Sequence, residues 1–149
     1  MLELYHDSDF IMSFKVRFCL AEKGLDWQAH RIILGTFENR SPGYLKINPG
    51  GVVPTLVHDG HIILESSVIN EHLDEVFPSL SLKPDSPLDR ARMRAWTKYQ
   101  DDVIHHSVRP ATFQLMITQR PAYHDSKPEQ RLPRPDRSEV DHCRTLAMT

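Results

Sequence analysis

The chain has two cysteines, Cys19 and Cys143, and no CxxC pair. Thiols so far apart offer no local redox couple, and a reducing, cytoplasmic setting is the simplest reading. No apolar run approaches the roughly 18 residues of a membrane span. The first residues, MLELYHDSDF, lack the basic stretch and apolar run of a secretory signal, so none is expected. Positive charge is not in excess: 18 Lys and Arg stand against 20 Asp and Glu, a net charge of -2. Neither nucleic acid nor an anionic membrane surface is therefore an expected partner. His105 and His106 have no companion ligands at metal spacing, so no metal is expected. Internal repeats are absent. What remains is 149 residues, 40% hydrophobic and 26% charged, which suits one ordinary soluble domain or one small domain plus a fragment.

The chain divides by character. Residues 1–78 alternate strand and helix signals. Leu2 to Tyr5 reads as a first strand, and Ser13 to Lys23 as a helix with apolar positions on several sides (Phe14, Val16, Phe18, Cys19, Leu20), suited to firm packing on a sheet. Lys23 and Gly24 make an ordinary helix stop, a cation in the last turn and then glycine. Trp27 to Leu34 reads as a second strand. Ser41-Pro42 is an N-cap followed by proline at the first helical position, opening a short helix to Ile47. Two more strands, joined at Asp59-Gly60, form a hairpin. A helix from Ser66 to Phe77 carries Ile69, Leu73 and Val76 at helical spacing. Residues 79–86 are a proline-containing linker. Residues 87–118 are helical, capped by Asp85 or Ser86, with Leu88, Ala91, Ala95, Trp96, Tyr99 and Val103 as the apolar stripe; Pro110 should interrupt or kink the helix. Residues 119–149 are polar and proline-rich without period, and are expected to be disordered. A single long helix cannot bury itself, so it is expected to lie on the first domain, on a partner chain or on helices that are missing from this sequence.

Two short segments carry the functional signal: NPGGVVPTL (Asn48 to Leu56) and ESS (Glu65 to Ser67). The first presents a strand edge at Pro54, the second a helix N-terminus at Ser66. Together they suit a small peptide with a free carboxylate and amine. On the residues alone, Pro54 is favoured as an ordinary strand-start proline, and Ser66 and Glu65 read equally as a cap and a favourable first-turn charge.

The order βαβαββα with a proline before the third strand points to a thioredoxin-like sheet. The stretches LYH, SFKVRFCLAEKGLDW, YLKINPGGVVPTL, ESSVINEHLDEVFP and LKPDSPLDRARMRAW resemble, in order and spacing, the bacterial β-etherase-like and dehalogenase-like members of the glutathione S-transferase superfamily. The resemblance covers most of the chain to about Ile117 and implies an α/β fold, a thioredoxin-like N-terminal domain followed by the beginning of an all-α C-terminal domain. It implies that glutathione is a co-substrate, that no other cofactor is used, and that a small electrophile is attacked at carbon by the glutathione thiolate. It assigns Val53, before a cis Pro54, to the cysteinyl backbone, Ser66 to the γ-glutamyl carboxylate and Glu65 to its ammonium. Ser13 is placed to stabilise the thiolate, although a serine there also serves as a helix cap. A homodimer through the helices of residues 65–77 and 88–108 is implied.

The chain departs from the family in three places. Better-known classes carry Ser or Cys about three positions before Ser13, where Phe10 stands, and Ser8 is a weaker substitute. Gly51 and Val52 replace the Lys or Gln that holds the glycyl carboxylate elsewhere, leaving Arg40 or Lys46 for that charge. Only the first long helix of the all-α domain is recognisable. A non-catalytic interaction module is therefore the alternative. A thiol–disulfide oxidoreductase is weaker, because no cysteine opens the first helix and Cys19 suits a core position.

Overall fold

The computed structural model describes residues 1–112 and 114–115. The expectation for residues 119–149, with Cys143, lies outside the described residues. Residues 1–93 make one compact unit, and the described residues from Arg94 on belong to a second.

The first unit has the expected order. Strand β1 (Leu2–His6) is followed by helix α1 (Ile11–Glu22), β2 (Gln28–Arg31), two 3-10 turns (Leu34–Thr36 and Glu38–Arg40), α2 (Pro42–Ile47), β3 (Thr55–His58), β4 (His61–Ile63) and α3 (Ser66–Val76). The sheet order is β2-β1-β3-β4. β1 and β2 run parallel, whereas β1–β3 and β3–β4 are antiparallel. This mixed sheet with its helices is the thioredoxin-like arrangement. The β3–β4 turn works as its sequence demands: Asp59 and Gly60 both adopt positive φ, 48° and 82°. Ser41 caps α2, its hydroxyl accepting from the Tyr44 N–H at 3.3 Å, with Pro42 at the first helical position.

One hydrophobic core holds the sheet to α1 and α3: Leu2, Leu4, Val16, Cys19, Leu20, Leu56, Ile69 and Leu73. Burying each of its leucines and isoleucines contributes about 1.5–3 kcal/mol. Three sequence expectations are corrected here. Phe14 and Phe18 do not join this core; with Ile11 they form an outward stripe on α1, each half or more exposed. Three- and four-residue steps define a stripe without saying which stripe meets the sheet. Val76 is likewise exposed, one turn beyond the buried Leu73. The second strand ends at Arg31 rather than Leu34, because the chain turns into the 3-10 segment. There the buried Asp7 carboxylate takes the Leu34 N–H at 2.9 Å.

The last turns of α1 and α3 are joined by a buried ion pair. Lys23 Nζ reaches Asp74 Oδ1 at 2.7 Å and the Leu80 carbonyl at 2.5 Å, and Asp74 also accepts from the Leu82 N–H at 2.7 Å. Burial pushes the Asp74 carboxyl up, but Lys23, the Leu82 N–H and Lys83 outweigh that and hold it below the usual carboxylate range. Lys23, read from sequence as an ordinary C-terminal cation, is thus an internal anchor.

Helix α4 (Pro87–Tyr99) starts at Ser86, whose hydroxyl accepts from the Asp89 N–H at 3.4 Å. None of its residues is buried, and Leu88 and Trp96 are among the most exposed apolar side chains. It runs into a π-helical turn (Gln100–Ile104) and then α5 (His105–Thr112). Pro110 does not end α5, although its missing N–H leaves the His106 carbonyl without the usual helical donor. No described helix is long and apolar enough to cross a membrane.

Candidate functional site

The β3–β4 register sets the site. Leu56 pairs with Ile63 in antiparallel fashion, so the start of β3, where Pro54 lies, is beside the end of β4, from which Glu65 and Ser66 follow. The Val53–Pro54 bond is cis. Val53 is half-buried and stands outside the β1–β3 ladder, which begins at Thr55.

The loop before Pro54 is fixed by buried polar side chains. Tyr44 from α2 and Asn48 just after it both donate to the Val52 carbonyl, at 2.5 and 2.9 Å. Asn39 donates to the Gly51 carbonyl at 2.7 Å. Gly51 has φ +60°, and a Cβ there would stand 2.9 Å from the Asn39 carbonyl oxygen, so glycine is required. Arg40 Nη1 would lie 3.3 Å from that Cβ, which puts a guanidinium over the loop where the chain has no charge of its own. Burial raises the Tyr44 hydroxyl above the ordinary tyrosine value, against hydrogen bonds from Thr55 and Asn48 that lower it.

Glu65 is the N-cap of α3, at φ 67°, ψ 116°, a region that non-glycine residues rarely enter. Its side chain is exposed and makes no capping hydrogen bond. Ser66, the first residue of α3, is 7% exposed. Its hydroxyl donates to Met12 Sδ of α1 at 3.4 Å. One turn along, Lys15 of α1 donates to the Ser67 hydroxyl. The N-termini of α1 and α3 therefore lie together. Neither has a side-chain cap, and neither carries an acidic residue in its first turn. The positive end of each helix dipole favours negative charge.

Ser13 is the third residue of α1, after Phe10 as N-cap, and is fully buried. Its hydroxyl oxygen accepts from the Asp7 N–H at 3.2 Å and braces the loop between β1 and α1. Asp7 and Asp9 close that loop through an Asp9 N–H to Asp7 Oδ1 bond of 3.1 Å. Ser8 is half-buried, and its carbonyl accepts from Arg17 at 3.1 Å. His6 is buried at the end of β1, edge-on to Trp27, and burial lowers its basicity. Tyr5 stays within β1, stacked on His30 at 4.4 Å. Cys19 is buried in mid-helix, and burial pushes its thiol up.

A family model for the glutathione S-transferase N-terminal domain matches residues 11–76. Protein LigF of Sphingobium sp. strain SYK-6 is 44% identical over 103 residues, which are 68% of this chain and 40% of LigF. The crystal structure of beta-etherase LigF aligns with a TM-score of 0.80 at 33% identity, covering 97% of this chain and 63% of that one. The chain belongs to the glutathione S-transferase superfamily. Maleylacetoacetate isomerase of Pseudomonas aeruginosa is 41% identical over 96 residues, 62% of this chain and 45% of that enzyme. The matched stretch is thus less than half the length of either curated relative.

Within this transferase fold the structure gathers Val53, Pro54, Glu65 and Ser66 around one end of the sheet. Ser13 lies beneath the first turn of α1 rather than on its surface. Tyr44, Asn48 and Asn39, which shape the loop, were missed as site residues. For Tyr44 and Asn48 the available signal is the motif Tyr44-Leu45-Lys46-Ile47-Asn48-Pro49, whose polar members recur every second residue through a helix and its C-cap rather than on one helical face; Asn39 carries no such signal. Among the described residues no three His, Cys, Asp or Glu side chains come together as a metal site.

Proposed function

We propose that this chain binds glutathione and transfers its thiolate to an electrophilic carbon of a small substrate. The observation that carries the binding half is Glu65, a non-glycine residue held at φ 67° at the uncapped head of α3, with Ser66 beside it. Strain of this kind collects where a ligand is clamped. Ser66 and the N-terminal end of α3 hold the γ-glutamyl carboxylate, and the exposed Glu65 carboxylate faces its ammonium. The backbone of Val53, next to Pro54, pairs with the cysteinyl unit as an added strand. Arg40, over Gly51, takes the glycyl carboxylate in place of the missing Lys or Gln.

The thiol then lies against the first turn of α1. Positive potential from its uncapped N–H groups lowers the thiol pKa and favours thiolate at neutral pH. Ser13 contributes from beneath, by fixing the Asp7 N–H and with it the loop that leads into this turn. The setting is cytoplasmic. A homodimer would form through α3 and α4, on which Val68, Leu88 and Trp96 are exposed.

Retention on immobilised glutathione tests the reading. The wild-type chain should be retained, and Ser66→Ala should weaken retention about tenfold, the scale of one lost charge-assisted hydrogen bond. A folded chain that passes straight through overturns it. A second reading, a non-catalytic glutathione-binding module, is favoured by the burial of Ser13. Conjugation of a generic aryl halide separates the two: binding without turnover selects the module. A thiol–disulfide oxidoreductase finds no support, since Cys19 is buried with its thiol pushed up.

A further inference from the structure

The hydrogen bonds behind Pro54 fix every proton. Tyr44 has one hydroxyl hydrogen, and the 2.5 Å bond to the Val52 carbonyl uses it. The 2.9 Å bond between Tyr44 and Thr55 must then run from the Thr55 hydroxyl to the tyrosine oxygen. Asn48 spends its two amide hydrogens on the Val52 carbonyl, at 2.9 Å, and on Thr55 Oγ1, at 3.0 Å. Its own carbonyl oxygen accepts from the Gly50 N–H at 3.0 Å. Tyr44, Asn48 and Thr55 are 3%, 2% and 0% exposed, so water does not compete.

Both lone pairs of the Val52 carbonyl are therefore held inward. The 52–53 peptide is trans, as only Val53–Pro54 is cis, and in a trans peptide the C=O and N–H point in opposite directions. Locking the Val52 carbonyl into the network consequently turns the Val53 N–H away from it.

We infer that Tyr44, Asn48 and Thr55 are positioning residues that aim the Val53 N–H at the backbone of a bound peptide without touching that peptide. This rests on the glutathione reading for the identity of the peptide, but the orientation of the Val53 N–H is a property of the free chain. The network is closed and directional, so deleting one hydroxyl unpairs two groups at once: without Thr55 Oγ1, both an Asn48 hydrogen and the Tyr44 oxygen lose their partner.

The test compares Thr55→Val with Thr55→Ser, reading glutathione affinity by calorimetry and the Val53 amide by NMR in the free chain, well below each melting temperature. Thr55→Val should bind about tenfold more weakly and shift or broaden the Val53 amide, whereas Thr55→Ser should match wild type in both. Affinity and amide signal unchanged in Thr55→Val overturn the inference. Where Thr55→Val does not fold, Tyr44→Phe removes the hydroxyl and keeps the ring, with the same outcomes expected. A wild-type chain that ignores glutathione defeats the functional reading alone. The Val53 amide then decides: perturbed in Thr55→Val and not in Thr55→Ser it supports the inference, and indifferent to both it refutes it.

Discussion

Helices α1 and α3 lie side by side, and their two ends are built on different terms. At the C-terminal ends, Lys23 and Asp74 meet at 2.7 Å with side chains 1% and 5% exposed, and the Leu80 carbonyl and Leu82 N–H complete their hydrogen bonds. At the N-terminal ends the contacts include a 3.4 Å hydroxyl–thioether bond and a lysine–serine bond, and no side chain caps either helix. One end satisfies its polar groups internally. The other leaves positive helix ends facing outward, beside a residue at positive φ. The closed end consumes its charges internally, whereas the open end is the one whose helix dipoles suit an anionic ligand.

The largest effect should come from breaking the closed end. Asp74→Ala strands the buried Lys23 ammonium, and unfolding experiments should show a loss of about 3–5 kcal/mol, with glutathione affinity of the remaining folded fraction unchanged. The pair also sets an acid limit. Asp74 has a folded pKa below its unfolded value of about 3.9. Its contribution is therefore full above about pH 4 and is lost as pH falls through the lower folded value. Thermal melts of wild type should decline across that acid window more steeply than those of Asp74→Asn.

Gly51→Ala probes the loop beside the open end. The added methyl would stand 2.9 Å from a backbone oxygen at φ +60°, so stability should fall by about 2 kcal/mol and glutathione retention should fail with it. Gly43, with open space around it in α2, is the control: its alanine variant should melt no lower than wild type.

Ser13→Ala leaves the buried Asp7 N–H without its acceptor and should cost about 1–3 kcal/mol. Retention should change little, because the hydroxyl faces the loop and not the surface. A large loss of retention with unaltered stability would instead put Ser13 in contact with ligand. The smallest stability effect belongs to Glu65→Gly. It relieves the positive φ and should leave the melting temperature equal to or slightly above wild type, while weakening glutathione through the lost carboxylate. A variant both more stable and fully binding would break the link between the open end and function.

Much of this plan was legible in the residues. Asp59-Gly60 announced a hairpin because both positions need positive φ. Ser41-Pro42 announced a helix because cap chemistry is local. The segments at Pro54 and Ser66 were placed together by the hairpin between them. What was not legible depends on contacts between distant residues. Lys23 and Asp74 are 51 positions apart, and either one alone looks like a solvated charge. The inward turn of Ser13 depends on Asp7, which no periodicity links to it. The outward stripe of Phe14 and Phe18 satisfies the same helical spacing as a core face. The network at Tyr44, Asn48 and Thr55 is polar and buried, which hydrophobic patterning is blind to.

The most direct test of the central claim is a glutathione titration followed residue by residue in NMR spectra of the folded chain. The account predicts saturable shifts at Val53, Glu65, Ser66 and the first turn of α1, with Lys23, Asp74 and Leu82 unmoved. Saturable shifts that cluster instead around Lys23 and Asp74, or none anywhere, would contradict it.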